Sequence, residues 1–354
     1  MYTNESIDIW YQTGLSLCNF DCNYCAAGVP EKNGFRTKTR EWLLPKSKER
    51  FIKVANWLGK LPFKINLKVQ TIGEPLVSRT FLRTIAGLTT KPNVNFVEIP
   101  TNGSLIEKRL GKTFSKYEAN PEKLSLLLTW HPTEISAEAV IHQAIVAKAQ
   151  GVNVNINTLL FPDTYDSSLE MARRCYDNGI NFYVCYGYNV NDAYPGLPIV
   201  CIQDSEGTRN LLDKIEAFGF KHLVSDIGLL GLYSPKNLMC SAGSNYFYIA
   251  EDGGVHQCRP YSFRPLNTPL GSALDSSYTP HLRSDRFSKC AVSGGCICED
   301  DYLHLEVAQT QTQNSNSLTA RDCNEAADLP QSEKKKRLVK LKSSKIAKEL
   351  CFAD

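Results

Sequence analysis

Apolar and polar positions alternate along the first two thirds of the chain in two different periods. A strand-like apolar run at Ile7–Leu17 opens the series. The stretch from Pro45 to Gly59 puts Phe51, Ile52, Val54, Ala55 and Leu58 on one side of a 3.6-residue period and predicts a helix. Phe63–Gln70 is rich in β-branched and aliphatic residues and predicts the next strand, and Phe81–Leu88 predicts a helix. The remaining expectations are strands at Asn95–Pro100, Leu124–Thr129, Val152–Leu160 and Asn181–Tyr188, and helices at Ser136–Gln150, Ser167–Asp177 and Glu206–Phe218. Gly151 directly after the Ser136 helix is a C-terminal stop signal. About six strand–helix repeats imply an α/β fold with a parallel sheet and helices on its outer face. Such sheets keep their chemistry at the C-terminal ends of the strands.

The texture changes near residue 238. Strands become short, and Gly and Cys become frequent. Asn245–Ala250 and Val255–Cys258 flank Glu251-Asp252-Gly253-Gly254, which reads as a β-hairpin. The expected organisation is a barrel domain over 1–235 and a small cysteine-rich domain over 236–306. A polar linker over 307–330 and a basic tail over 331–354, in part helical, complete it.

Composition narrows the function classes. The net charge of +3 over 354 residues argues against a nucleic-acid partner for the chain as a whole. The basic excess lies in residues 331–354, with eight Lys/Arg against three Asp/Glu. No apolar window reaches the roughly 18 residues of a membrane span. Met1–Trp10 has neither a basic nor an apolar signal region, so a cytoplasmic location is expected. Thirteen cysteines in a reducing compartment point to metal or catalysis rather than disulfides. Eight of them form two groups. Cys175, Cys185, Cys201, Cys323 and Cys351 are scattered and read as small buried hydrophobes or idle thiols.

The first group is Cys18-Asn19-Phe20-Asp21-Cys22-Asn23-Tyr24-Cys25. Three thiolates this close on one loop can hold three irons of a [4Fe–4S] cluster. The fourth iron is then open to substrate or cofactor, whereas a structural zinc site would close that position. With the aromatic Tyr24 before its last cysteine, the C-x3-C-x2-C motif after the first strand resembles the signature of the radical S-adenosylmethionine (radical SAM) superfamily. Gly73-Glu74-Pro75 at the end of the second strand resembles that family's glycine-glycine-glutamate motif, with Ile72 in place of the first glycine. Thr101-Asn102-Gly103 resembles the turn after its third strand. Thr129-Trp130-His131 falls where relatives place a ribose contact, but it departs from their usual serine-aspartate-glycine.

The resemblance covers residues 6–225 and implies a partial (β/α)6 TIM-like barrel. It implies that Cys18, Cys22 and Cys25 hold a [4Fe–4S] cluster to which S-adenosylmethionine (SAM) binds. Tyr24, Gly73, Glu74, Pro75, Thr101, Asn102, Thr129 and His131 are the implied cofactor contacts. The implied chemistry is reductive cleavage of SAM to a 5′-deoxyadenosyl radical, which removes a substrate hydrogen atom.

Cys240 and Cys258 flank the expected hairpin, and Cys290, Cys296 and Cys298 follow. The segment from Cys240 to Cys258 resembles the opening of the SPASM and twitch extensions, which bind auxiliary [4Fe–4S] clusters. Five cysteines allow one auxiliary cluster on Cys240, Cys258 and two of Cys290, Cys296 and Cys298. Structural zinc on four thiolates is the rival. The spare thiol, Cys298 or Cys296, is a candidate hydrogen donor.

The expected reaction is therefore oxidation (dehydrogenation) or epimerisation of a small polar molecule such as an aminosugar, cyclitol or nucleoside. Only 17 residues precede the first cluster cysteine, so no fused peptide-recognition domain is expected. Maturation of a ribosomally made peptide is the alternative. RNA modification through the basic tail, and a non-catalytic zinc protein on a relict barrel, rank lower. A flavodoxin or ferredoxin is the expected reductant.

Overall fold

The computed structural model describes residues 6–22, 24–25, 45–160, 164–186, 205–220, 237–262, 268–291 and 304. Six strand–helix pairs follow one another: β1 (Ile7–Gln12) and α1 (Pro45–Leu58), β2 (Ile65–Gln70) and α2 (Arg79–Thr89), β3 (Val94–Thr101) and α3 (Ile106–Lys116), β4 (Leu124–Trp130) and α4 (Ala137–Lys148), β5 (Asn153–Leu160) and α5 (Tyr165–Asp177), β6 (Asn181–Tyr186) and α6 (Ser205–Glu216). Strands β1 to β6 pair in chain order and all in parallel. This is the α/β arrangement that the alternation predicts. The first strand stops at Gln12, and residues 13–17 form an irregular lead into the cysteine loop.

Helix α3 has no counterpart in the expectations above. Its N-cap is Leu105, with no side-chain hydrogen bond, and Gly111 and Thr113 weaken its interior. Buried Ile106, Leu110 and Phe114, spaced four apart, hold it against the sheet. Packing decides this helix, and its caps do not announce it. The better signalled helices carry their caps: Ser78 accepts from Phe81 N at 3.2 Å, and Ser136 from Ala139 N at 3.2 Å. Gly151, at φ +82°, ends the segment after α4 in the left-handed region that glycine adopts without strain.

One side of the sheet meets the helices. Ile7, Ile9 and Tyr11 of β1, Leu67 of β2 and Ile156 of β5 join Phe51, Val54, Phe81 and Met171 in one continuous core. Tyr11, Phe51 and Phe81 stack in series, with ring centroids 6.0 and 5.3 Å apart, and so tie β1 to α1 and α2. Alternate residues face the other way: Asp8 and Trp10, Asn66 and Lys68, Glu98, Ser125, Asn155 and Asn157, and Tyr183. All of them are buried too. The described helices pack on the opposite side.

The hairpin expected after residue 245 forms as β8 (Tyr246–Ile249) and β9 (Gly254–His256), turned at Gly253 with φ +91°. Its position could not be read from the sequence. Strand β8 pairs with β1 in parallel, Asp8 opposite Tyr246 through Tyr11 opposite Ile249. With β10 (Gly271–Ser272) on β9, the sheet reaches nine strands, ordered β10-β9-β8-β1-β2-β3-β4-β5-β6. Phe247, Ile249 and Val255 are part of the main core. A two-stranded ladder of β7 (Met239–Cys240) and β11 (Ser288–Lys289) completes the described region. The linker over 307–330 and the tail over 331–354 lie outside the described residues. No described helix is long and apolar enough to cross a membrane.

The joint between β8 and β1 makes a simple prediction. Phe247→Ala should cost about 3–5 kcal/mol, because it empties a fully packed core position. Denaturant unfolding followed by tryptophan fluorescence should show one transition moved to lower denaturant. An unmoved main transition with a separate early one would mean that the hairpin unfolds by itself.

Candidate functional site

The cysteine loop, the segment after β2 and the turn after β3 are tied together by backbone bonds at the C-terminal edge of the sheet. Ile72 N and Gly73 N both donate to Leu15 O, at 2.9 and 3.0 Å, and Glu74 N donates to Leu17 O at 2.8 Å. Two stretches 57 to 58 residues apart in chain order thus run side by side just before Cys18. Gly73 permits this approach. A Cβ at that position would lie 2.1 Å from Leu17 O, a distance no side chain tolerates.

Glu74 closes the next link. Its side chain is buried, 2% exposed. Oε1 accepts from Leu76 N at 2.9 Å and from the Thr101 hydroxyl at 2.6 Å, and Oε2 accepts from Asn102 N at 2.7 Å. Pro75 begins the short 3-10 turn that Glu74 caps. Burial pushes the carboxyl up to about 7, against the opposing pull of its three donors. Asn102 continues outward: Nδ2 donates to Asn19 Oδ1 at 3.1 Å, and Asn19 Nδ2 donates to Ser104 Oγ at 2.9 Å. The cysteine loop therefore rests on the Thr101–Ser104 turn. Gly103 takes φ +74° there.

The far side of the loop leans on the segment after β4. The Tyr24 hydroxyl lies 3.0 Å from His131 Nδ1, and the two rings stack with centroids 5.8 Å apart. Phe20 meets His131 edge-on, and Asp21 N donates to Glu134 Oε2 at 3.3 Å. Burial lowers His131 to about 4, so its ring is neutral at physiological pH. Thr129 lies on β4 facing the inner side of the sheet and is half-buried.

The structure thus brings Tyr24, Gly73, Glu74, Pro75, Thr101, Asn102 and His131 around one loop. Asn19, Phe20, Ser104 and Glu134 join them and were not singled out in the sequence. Asn19 lies inside the motif, but nothing in its spacing marks it as the contact to a distant turn.

Cys18, Cys22 and Cys25 all lie on this loop and affect one another. Burial raises the Cys18 thiol and pushes Cys22 up to about 12, the latter with help from Glu134 and the other two thiols. Binding a metal centre here must expel these protons. Among the described residues no three His, Cys, Asp or Glu side chains stand close enough to hold a single metal ion. A multi-iron cluster is several atoms across and takes its thiolates farther apart. The donor set, three thiols with no fourth cysteine between Cys18 and Cys25, fits such a cluster with one open iron.

The second cysteine group partly falls within the described residues. Cys240 lies on β7, Cys258 follows β9, and Cys290 follows β11, whose Ser288 faces Cys240. Burial raises the phenol of Tyr261, and Cys258, Cys290 and Cys240 raise it further, against the opposing pull of Arg283. Arg283 Nη2 donates to Cys240 O at 3.3 Å and to Ala242 O at 2.7 Å. Cys296 and Cys298, and with them the expected hydrogen donor, lie outside the described residues, as do Cys201, Cys323 and Cys351.

No family model matches the chain. GTP 3',8-cyclase from Staphylococcus carnosus (strain TM300) is 28% identical over 162 residues. The match covers 43% of this chain and 45% of the cyclase, so it spans less than half of that relative. The solved structure of anSMEcpe with bound AdoMet and Cp18Cys peptide superposes with a TM-score of 0.50 at 13% identity, over 97% of this chain and 99% of that one. Streptococcus suis SuiB bound to S-adenosylmethionine is similar at 14% identity and a TM-score of 0.49, over 89% of this chain and 70% of that one. At these identities the structural likeness is one of fold: α/β, with a parallel central sheet of partial-barrel type.

Glu74 gives this edge a measurable pH dependence. The folded protein holds its proton to about pH 7, while the unfolded chain releases it near 4.5. The folded state therefore binds more protons in that window, and stability falls as pH rises through it. The expected loss is about 3 kcal/mol between pH 4.5 and 7. In Glu74→Gln this part of the slope should vanish, whatever the variant's overall stability. An unchanged slope in urea titrations of the metal-free protein would mean that Glu74 ionises normally.

Proposed function

We propose that the chain is a radical SAM enzyme acting on a small polar substrate by dehydrogenation or epimerisation. The observation that carries this reading is the three-cysteine loop, held by Gly73, Glu74 and the Thr101–Ser104 turn at the C-terminal edge of a parallel sheet. Similarity to GTP 3',8-cyclase and the fold shared with an AdoMet-bound structure support it.

Cys18, Cys22 and Cys25 would hold a [4Fe–4S] cluster, with SAM on its open iron. When bound, these groups supply reductive cleavage of SAM and a radical that removes a substrate hydrogen atom. The chain's own residues place and shield that chemistry. Gly73 and Glu74 would supply the backbone carbonyls and the carboxylate that hold the ammonium group of SAM. A cation there stabilises the Glu74 carboxylate, which burial alone disfavours. Asn19 and Asn102 fix the loop to the next strand end. Neutral His131, bonded to Tyr24 and flanked by Phe20, forms an aromatic wall that excludes water.

Cys240, Cys258 and Cys290, with Cys296 or Cys298 as a fourth ligand, would hold one auxiliary [4Fe–4S] cluster. That cluster suits electron removal from a substrate radical. The expected electron source for the SAM cluster is a flavodoxin or ferredoxin. The expected location is the cytoplasm.

The test is iron, sulfide and zinc content of protein purified without oxygen, with 5′-deoxyadenosine formation under reduction. The expected result is about eight irons, falling to about four in the Cys18/Cys22/Cys25→Ala triple variant, with 5′-deoxyadenosine lost. Four irons falling to none would remove the auxiliary cluster and leave the radical reading standing. Zinc without iron, and no 5′-deoxyadenosine, would overturn the whole reading.

A further inference from the structure

The inner face of the sheet over β4, β5 and β6 carries no charged side chain. Its described residues are Ser125, Leu127 and Thr129 on β4, Asn153, Asn155, Asn157 and Leu159 on β5, and Asn181, Tyr183 and Cys185 on β6. The charged groups of the inner face lie on β1 to β3 and are engaged. Asp8 accepts from Asn66 Nδ2 at 2.8 Å, and Lys68 faces Glu98 at 3.6 Å.

Within the uncharged part, two amides are held at one end and open at the other. Asn155 is 0% exposed, and its Oδ1 accepts from Asn181 Nδ2 at 3.0 Å. Its Nδ2 has no partner. Asn157 is 4% exposed, and its Nδ2 points to Cys185 Sγ at 3.1 Å. Its Oδ1 has no partner. A buried amide atom left without a hydrogen bond is costly, and each bound end fixes its side chain so that the other cannot turn away to find one. The result is one fixed donor and one fixed acceptor two residues apart on the same strand face. Thr129, opposite Asn157 on β4, and Cys185, next to it on β6, are half-buried.

We propose that Asn155, Asn157 and Cys185 form a substrate subsite for an uncharged group that both donates and accepts hydrogen bonds, such as a carboxamide or a hydroxyl. The donor of Asn155 and the acceptor of Asn157 complement such a group. A carboxylate would satisfy Asn155 but meet the Asn157 carbonyl with a second acceptor. An ammonium group would meet the Asn155 N–H with a second donor. The subsite also gives Cys185 a place in the molecule, where spacing alone left it an idle thiol. The inference deepens the function proposed above and rests on it for calling the bound group substrate. Its test does not depend on radical chemistry.

Iodoacetamide and iodoacetate are alkylators of nearly equal size, one neutral and one anionic, and both attack the thiolate. Their rate ratio at Cys185 is therefore independent of how readily that thiol ionises. The full-length, metal-free protein is alkylated with each, and Cys185 is followed by peptide mass mapping. Each rate is divided by the same reagent's rate with glutathione. The expected neutral-to-anionic ratio at Cys185 is about tenfold above glutathione's, as two ordinary hydrogen bonds supply. It should fall towards unity in Asn157→Leu and Asn155→Leu.

2-Iodoethanol, normalised in the same way, separates the two sources. A normalised rate above that of iodoacetamide assigns a hydroxyl, and one below it a carboxamide. A wild-type ratio equal to glutathione's, a ratio unmoved by both variants, or no labelling of Cys185 by either neutral reagent overturns the subsite. Because no iron is present, these outcomes are separate from those of the cluster measurements.

Discussion

The close approach of Gly73 to Leu17 is the contact on which the rest of the site depends. Three backbone bonds from Ile72, Gly73 and Glu74 to Leu15 and Leu17 carry the chain from the end of β1 into the cysteine loop beside the end of β2. Only a residue without a side chain lets the segments that follow these two strands run this close. Everything outward follows from that contact. Glu74 is delivered to Thr101 and Asn102, Asn102 to Asn19, and Asn19 back to the cysteine loop. The loop is thus clamped by strand ends far apart in sequence and adjacent in the sheet.

The inner face of the sheet is polar and buried, and none of the described helices packs on it. Parallel sheets in α/β folds bury both faces. Here one buried face is apolar and continuous with the helices, and the other carries amides, hydroxyls and one ion pair. Lys68 and Glu98 face each other across β2 and β3, and the Lys68 ammonium stands 5.1 Å over the Trp10 ring. Arg259, next to Cys258 in the chain, lies 5.3 Å over the same ring. Trp10 packs in one cluster with Tyr246 and Tyr248, with Cys240 and Cys258 against it. The interior of the barrel and the second cysteine group are in contact through this tryptophan.

Much of the fold was legible because local signals agreed with tertiary ones. Strands β1 to β6 follow from their apolar runs, and α2 and α4 from their serine caps. The hairpin around Gly253 follows from Asp-Gly-Gly. Helix α3 was missed because Leu105, Gly111 and Thr113 give no local signal, and its stability comes from packing Ile106, Leu110 and Phe114. Of the site, the residues inside motifs were found, since each motif has its own chemistry on a few consecutive positions. Asn19, Ser104 and Glu134 were not, because each earns its role from a partner on another strand.

The sequence by itself determined most of the order of strands and helices, the three thiols on one loop and the tight turn at Gly103. Those properties are set by neighbours within a few residues: periodicity, caps, turns and metal-ligand spacing. Only the tertiary structure decided that β8 would occupy the free edge of β1, that Glu74 would be buried among three donors, and that Asn157 would meet Cys185. These depend on which strands lie side by side. Backbone pairing is chemically the same for every sequence, so the choice of partner rests on the sum of packing across the sheet.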